Sequence, residues 1–188
     1  MMLEKVPVDM LKLDNPSHVG IAVEDVRAVA GDMAHSFGVG PFGIREVATP
    51  AHRGTVRGEA AAYTLRFGYA RCGPITLELI EPVAGETIYD EFLAERGPGL
   101  HHLGFICDST LDEELERYRR AGYRPLMTHR REDTRYGWAY LDTGQGFLIE
   151  ILCDPPLGWW QSRSLAEDLK GPLGEMGTSE DQDGPGGR

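Results

Sequence analysis

Four residues of the chain could together bind a metal ion: His18, Glu78, His102 and Glu150. Each is a single polar residue in a short segment whose other residues predict a buried strand. Burying a carboxylate is costly unless it is paired or bound to a metal. Two imidazoles and two carboxylates suit a divalent transition metal. The alternative is that these are core or edge polar groups with ordinary hydrogen bonds, which would explain any one of them but not four in matching positions.

The matching positions come from an internal repeat. HVGIAVED at residues 18–25 resembles HLGFICDS at residues 102–109, and each segment predicts a strand that ends at a helix-start signal. An amphipathic stretch follows in both cases and stops at a glycine, Gly38 or Gly122, 20 residues after the histidine. The two histidines therefore occupy equivalent points of two similar units.

The glutamates lie at the other end of each unit. ITLELIEP at residues 75–82 resembles FLIEILCDP at residues 147–155, and both predict a strand that carries one Glu in an apolar run. Each half then predicts strand–helix–strand–strand–strand, and 83–100 link the halves through a short helix. The first half has extra residues mostly at 48–58, which we interpret as a lid or a surface loop.

Arginines and a second histidine are further candidates. His101 precedes His102, and only one of two adjacent residues can face a site on a strand; the repeat selects His102, which leaves His101 as a substrate-side, supporting or structural residue. Residues 117–135 hold seven arginines and two acids. They predict either a solvated face or a binding site for a phosphate- or carboxylate-bearing substrate, with Arg130 and Arg131 as its candidates.

Composition limits the class of protein. The 188 residues predict one domain, and 41% hydrophobic with 26% charged residues is typical of a globular chain. A net charge of −11 argues against nucleic acid or an anionic membrane as partner. We expect no membrane span and no secretory signal. Three scattered cysteines, Cys72, Cys107 and Cys153, favour a reducing cytoplasm.

The chain divides into a core and its flanks. The Gly- and Pro-rich end predicts a disordered tail, and Trp159 with Trp160 would either cap the site or pack on the edge of the domain. The predicted parts are a lead-in (1–14), the core domain (15–156, with modules at about 15–82 and 99–156), an extension (157–170) and the tail (171–188).

The motifs SHVGIAVED, ITLELIEP, GPGLHHLGF and FLIEIL resemble the vicinal oxygen chelate superfamily, and among its members the methylmalonyl-CoA epimerase and glyoxalase I branch. The resemblance covers about residues 15–155. It implies an α+β fold in which two βαβββ modules form a cup-shaped, barrel-like mixed sheet around a metal. The family's ligand positions fall on His18, Glu78, His102 and Glu150. The epimerase resemblance also implies a further carboxylate as partner base, for which Glu46 and Glu59 are the nearest candidates.

The resemblance favours a metal-dependent epimerase or isomerase that moves a proton alpha to a carbonyl or thioester, with Glu150 and Glu78 as catalytic carboxylates. The alternatives are a lactoylglutathione lyase and a non-catalytic binding protein. A ring-cleaving dioxygenase ranks below these, because Glu78 would fill a position that oxygen chemistry needs open. We expect one divalent ion (Ni, Co, Mn, Fe or Zn), a small substrate such as an acyl-CoA or another anionic carbonyl compound, and a homodimer.

Overall fold

The computed structural model describes residue 13 and residues 16–131 and 135–153. The elements, in chain order, are β1 (Pro16–Ala22), α1 (Val26–Phe37), β2 (Gly43–Thr49), β3 (Gly54–Val56), β4 (Glu59–Ala60), β5 (Tyr63–Cys72), β6 (Ile75–Ala84), α2 (Ile88–Arg96), β7 (Gly99–Cys107), α3 (Leu111–Arg120), β8 (Pro125–Arg130), β9 (Gly137–Asp142) and β10 (Leu148–Cys153). The lead-in other than Leu13, the extension with Trp159 and Trp160, and the tail lie outside the described residues. No helix of the described part is long and apolar enough to span a membrane.

The repeat is visible in the element order. The second half is strand–helix–strand–strand–strand, from β7 through α3 to β10, and the first half has the same order with the β3–β4 hairpin inserted. All strands belong to one mixed sheet in the order β2-β5-β6-β1-β7-β10-β9-β8-β3-β4. The sheet curls into a half-barrel, which confirms the expected α+β cup.

The register of the central strands brings the candidate ligands together. Within each half the first strand pairs in parallel with the last: β1 with β6, and β7 with β10. The two halves meet where β1 pairs antiparallel with β7, with Gly20 opposite His102 and His18 opposite Gly104. Because side chains alternate along a strand, His18 and Glu78 point to the same concave face as His102 and Glu150.

Local signals explain where the helices begin and end. Asp25 caps α1 by accepting hydrogen bonds from the amides of Arg27 and Ala28. Gly38 ends that helix at φ 66°, a left-handed conformation that glycine adopts without steric cost. The other two helices begin with capping boxes, in which Thr87 is the N-cap of α2 and Thr110 is the N-cap of α3.

The extra segment of the first half is more than a lid or a surface loop. It leaves β2 at one edge of the sheet and forms β3, which pairs with β8 toward the opposite edge. The Oγ1 atom of Thr49, at the end of β2, lies 3.1 Å from Nδ1 of His129 on β8. The Tyr63 hydroxyl donates a 3.2 Å hydrogen bond to the Thr128 carbonyl. The segment therefore ties the two repeats together across the open side of the cup.

Candidate metal centre

Four side chains converge at the centre of the sheet: those of His18, Glu78, His102 and Glu150. One nitrogen or oxygen atom from each lies within 4.8 Å of the others. The two Nε2 atoms of the histidines are 3.0 Å apart. Glu150 Oε2 lies 2.6 Å from His18 Nε2, and Glu78 Oε2 lies 3.2 Å from His102 Nε2. The sequence-predicted ligands thus form one cluster, with two members from each repeat.

All four side chains are almost completely buried, from 0% exposure for His102 to 5% for Glu78. Among the described residues, the Oε2 atoms of Glu78 and Glu150 have no hydrogen-bond partner of acceptable geometry, although both lie against imidazole nitrogens. Buried polar atoms are usually satisfied, and an orphaned carboxylate oxygen is expensive. The cluster therefore could hold a divalent cation, for which two nitrogens and two oxygens are suitable donors.

The charges of the cluster support each other in the absence of a metal. Burial disfavours the imidazolium of His102, but the nearby carboxylates of Glu150 and Glu78 outweigh it and raise the pKa of His102 to about 9. Burial likewise opposes ionisation of Glu150, but His18 and His102 outweigh it and lower the pKa of that carboxyl well below its usual value. The positive charge of the imidazoles is therefore what keeps Glu150 ionised.

The residue before each histidine orients its ring. Ser17 Oγ donates to the Gly104 carbonyl at 3.2 Å, so the 2.8 Å contact with His18 uses the Nδ1–H of His18 as donor. In the other repeat, His101 Nδ1 lies 3.0 Å from His102 Nδ1. Burial and the charge of His102 lower the pKa of His101 to about 3, so a neutral His101 can accept that bond. Both arrangements leave Nε2 directed at the centre.

His101 should therefore support metal binding without touching the metal. His101→Phe fills the same space, because the ring already packs against Tyr89 and Phe92 with centroids 4.4 Å and 5.1 Å away. Losing the hydrogen bond to a metal-ligating histidine typically costs about 10–100-fold in metal affinity. We expect a loss in that range, measured by metal titration, whereas His35→Phe on the exposed face of α1 should leave the affinity unchanged. Equal affinities for wild type and His101→Phe would contradict this role.

A cavity of about 460 Å³ opens beside the cluster, and His18, Glu78 and Glu150 line it. Most of its other lining side chains escaped the sequence analysis. They are the aliphatic Val47, Leu65 and Leu152, the aromatic Phe67, Tyr69, Trp138 and Tyr140, and the polar Arg45, Thr49 and His129. Their period-two spacing within each strand was a usable signal, because residues i and i+2 share a face.

The walls of the cavity repeat the symmetry of the cluster. On adjacent paired strands, Tyr69 is the neighbour of Glu78, and Tyr140 is the neighbour of Glu150. Two residues earlier on the same strands, Phe67 lies across from Arg45 and Trp138 lies across from His129. Arg45 and His129 therefore occupy equivalent positions of the two repeats, each beside an aromatic ring.

The predicted substrate-binding residues separate in the structure. Arg131 lines the cavity. Arg130 instead forms a 2.5 Å ion pair with Asp112 on the outside, and His101 lies behind His102, so neither belongs to the described lining. Other arginines of the segment 117–135 are also paired with acids outside the cavity: Arg117 with Glu114, and Arg119 and Arg120 with Glu116. These arginines and Arg130 therefore lie on a solvated, ion-paired face, whereas Arg131 lines the cavity.

Neither candidate for a partner base reaches the cavity. Glu46 lies on the outer face of β2 and pairs with Arg66 at 2.8 Å, and Glu59 is exposed on β4. The residues of β2 that do face the cavity are Arg45, Val47 and Thr49, none of which is a carboxylate. Among the described residues, the carboxylates that line the cavity are therefore Glu78 and Glu150, both members of the cluster.

His129 should make stability depend on pH. Burial, together with the charges of Arg131 and Arg53, lowers the pKa of His129 to about 4. Between pH 6.5 and 4 the unfolded chain takes up a proton that the folded chain does not, so stability is complete above this range and falls as the pH drops through it. His129→Asn removes the group that titrates. Between pH 7 and 4 the melting temperature of both proteins should fall, and the fall should be about 3–8 °C smaller in His129→Asn than in wild type. Parallel pH profiles would refute this assignment.

Comparisons with known proteins agree with the fold. A family model described as the glyoxalase/bleomycin resistance protein/dioxygenase superfamily matches residues 17–141, which is more than half of the chain. An uncharacterized protein of Bacillus subtilis, YqjC, is 31% identical over 99 residues. That match covers 53% of this chain and 61% of YqjC, so less than two thirds of the relative is represented.

Solved structures show the same architecture at low identity. A variant of the Streptomyces coelicolor methylmalonyl-CoA epimerase, in complex with 2-nitronate-propionyl-CoA, is 22% identical with a TM-score of 0.53, covering 76% of this chain and 99% of that one. The methylmalonyl-CoA epimerase of Mycobacterium tuberculosis is 22% identical with a TM-score of 0.52, covering 79% and 95%. A 4-hydroxymandelate synthase variant from S. coelicolor is 20% identical with a TM-score of 0.54, covering 82% and 45%. At these identities the likeness concerns the fold.

Proposed function

The chain belongs to the glyoxalase/bleomycin resistance protein/dioxygenase superfamily, and from that premise we propose that it is a metal-dependent enzyme that moves a proton alpha to a carbonyl or thioester. The observation that carries the proposal is the buried cluster of two histidines and two glutamates on the wall of a cavity. A protein that only binds an apolar ligand has no use for two buried carboxylates in the wall of its cavity.

His18, Glu78, His102 and Glu150 would hold one divalent ion, and nickel, cobalt, manganese, iron(II) and zinc all suit this donor set. When bound, the ion supplies Lewis acidity that polarises a carbonyl or thioester oxygen and makes the adjacent C–H acidic. The fold neighbours include a methylmalonyl-CoA epimerase in complex with methylmalonyl-CoA and a variant in complex with 2-nitronate-propionyl-CoA. An acyl-CoA or another anionic carbonyl compound is accordingly the substrate class of the proposal.

The proton is handled by carboxylates of this chain. As the C–H bond breaks, its electron pair moves into an enolate and the proton passes to Glu150, which lines the cavity. Returning the proton to the same carbon gives an epimer, and returning it to the neighbouring carbon gives an isomer or the product of a lactoylglutathione lyase. Glu78 comes from the opposite repeat, so the two carboxylates approach the cavity from different strands and can serve different faces of the enolate.

We also propose that the protein is located in the cytoplasm, because of its cysteine pattern, and that it forms a homodimer, because of the family resemblance. Cys107 and Cys153 are buried and Cys72 is exposed, and a reducing compartment would keep all three as free thiols.

Deuterium exchange tests the proposed reaction. The protein is purified in full, its metal content is measured, and carbonyl compounds and thioesters are incubated with it in deuterated water. Glu150→Gln keeps an amide oxygen for the metal but cannot accept a proton, so exchange should fall by about 10²–10⁴-fold while metal occupancy changes much less. Glu46→Gln, the same change on the outer face, should leave exchange unchanged. Exchange at the wild-type rate in Glu150→Gln would exclude Glu150 as the proton carrier.

A further inference from the structure

The cavity beside the cluster has the size of a small-molecule site and mostly apolar walls. Its volume of about 460 Å³ falls within the range of roughly 300–1,000 Å³ that such sites have. Phe67 and Tyr69 come from one repeat, and Trp138 and Tyr140 come from the other. Phe67 and Tyr69 are stacked at 5.9 Å, and Trp138 is stacked on His129 at 5.1 Å. Rings that are already held in place can receive a flat apolar group at little entropic cost.

Arg45 supplies a fixed positive charge in this aromatic setting. Its guanidinium lies over the rings of Tyr69 and Phe67, 5.2 Å and 6.0 Å from their centroids, and it donates a 3.3 Å hydrogen bond to the Tyr69 hydroxyl. Tyr69 of β5 is in turn paired with Glu78 on the adjacent strand β6. The guanidinium is therefore oriented by the aromatic wall, and its hydrogen-bond partner Tyr69 is the strand neighbour of Glu78. Arginine is the residue best suited to bind a carboxylate through two parallel hydrogen bonds.

The charges around the cavity favour an anion. A divalent ion would offset the two glutamates of the cluster, and the guanidinium groups of Arg45 and Arg131 line the cavity. Cationic side chains in the wall of a cleft attract a ligand of the opposite charge. The arginines outside the cavity do not extend this surface toward a long polyphosphate ligand, because those on α3 and Arg130 are paired with acids of their own chain.

We propose that the cavity binds an aromatic carbonyl acid, with its carboxylate on Arg45, its ring between the Phe67 and Trp138 walls, and its carbonyl toward the cluster. The proposal rests on the proposed function for the role of the carbonyl. It is more specific than that function, because it selects a compact aryl acid over a coenzyme A thioester. Phenylpyruvate carries all three groups and serves as the probe.

Binding to the intact, metal-reconstituted protein tests the proposal by calorimetry, which needs no measurement of activity. Phenylpyruvate should bind at least 10-fold more tightly than pyruvate, which lacks the ring, and than phenylacetone, which lacks the carboxylate. Arg45→Met should weaken phenylpyruvate binding by about 10–100-fold, the loss expected for hydrogen bonds to a charged group. Trp138→Leu should weaken phenylpyruvate more than pyruvate. Arg130→Met, the matched change at an arginine outside the cavity, should have no effect.

The folding of each variant is checked by its melting temperature. If Arg45→Met does not fold, Arg45→Lys keeps the charge but loses the planar fork and should still weaken phenylpyruvate several-fold. The proposal is overturned if phenylpyruvate binds no better than pyruvate or phenylacetone, or if neither Arg45 variant differs from wild type. Tight binding without exchange would disprove the proposed reaction alone. Exchange on a thioester without phenylpyruvate binding would disprove the substrate class alone.

Discussion

Replacing His102 by alanine should abolish both metal binding and activity. The imidazole lies 3.0 Å from His18 and 3.2 Å and 3.5 Å from the glutamate oxygens, so its loss removes one of four donors and the centre of the cluster. In the absence of metal, the change also leaves two buried carboxylates with less positive charge. Removing one partner of a buried ion pair typically costs about 3–5 kcal/mol of stability.

Three measurements check this expectation: metal content after reconstitution, the exchange rate and the melting temperature. His35→Ala on the exposed face of α1 is the control and should match wild type in all three. If His102→Ala binds metal as well as wild type, the cluster is not the metal site. If wild type holds no metal after reconstitution with each of the five candidate ions, the chain is not a metalloenzyme.

Gly104→Ala and Gly20→Ala should each disrupt the centre from the backbone side. A Cβ on Gly104 would come well within 3.0 Å of the His18 ring, and a Cβ on Gly20 would meet the His102 ring in the same way. The glycine of each repeat thus makes room for the histidine of the other, which explains the His-x-Gly spacing in both. Overpacking typically costs about 1–3 kcal/mol, and each variant should also lose metal affinity because its imidazole is displaced.

Gly31→Ala is the matched control for these substitutions. Gly31 lies in α1, is exposed, and a Cβ there meets nothing within 4 Å. Alanine should therefore stabilise the protein by about 0.5–1 kcal/mol, because it favours the helix more than glycine does. Chemical denaturation and metal titration of the three variants measure both effects. Wild-type stability and metal affinity in Gly104→Ala would show that the two halves are not packed as described.

The sequence by itself determined the repeat and the four members of the cluster. Local rules are enough for this, because strand periodicity identifies the buried face and a lone His or Glu on that face is conspicuous. The equal offsets from His18 to Gly38 and from His102 to Gly122 then placed the halves in register. Helix ends also followed from nearby residues, since capping involves contacts only a few positions apart.

Only the tertiary structure decided what surrounds the cluster. Arg45 and Glu46 are neighbours on β2, and it is the pairing with β5 that turns Arg45 into the cavity and Glu46 outward to Arg66. The roles of His101 and of the segment that forms β3 likewise depend on contacts with distant strands. A one-residue change of register reverses which side chains face the interior. Register between strands far apart in sequence is set by the packing of the whole sheet, which no local pattern records.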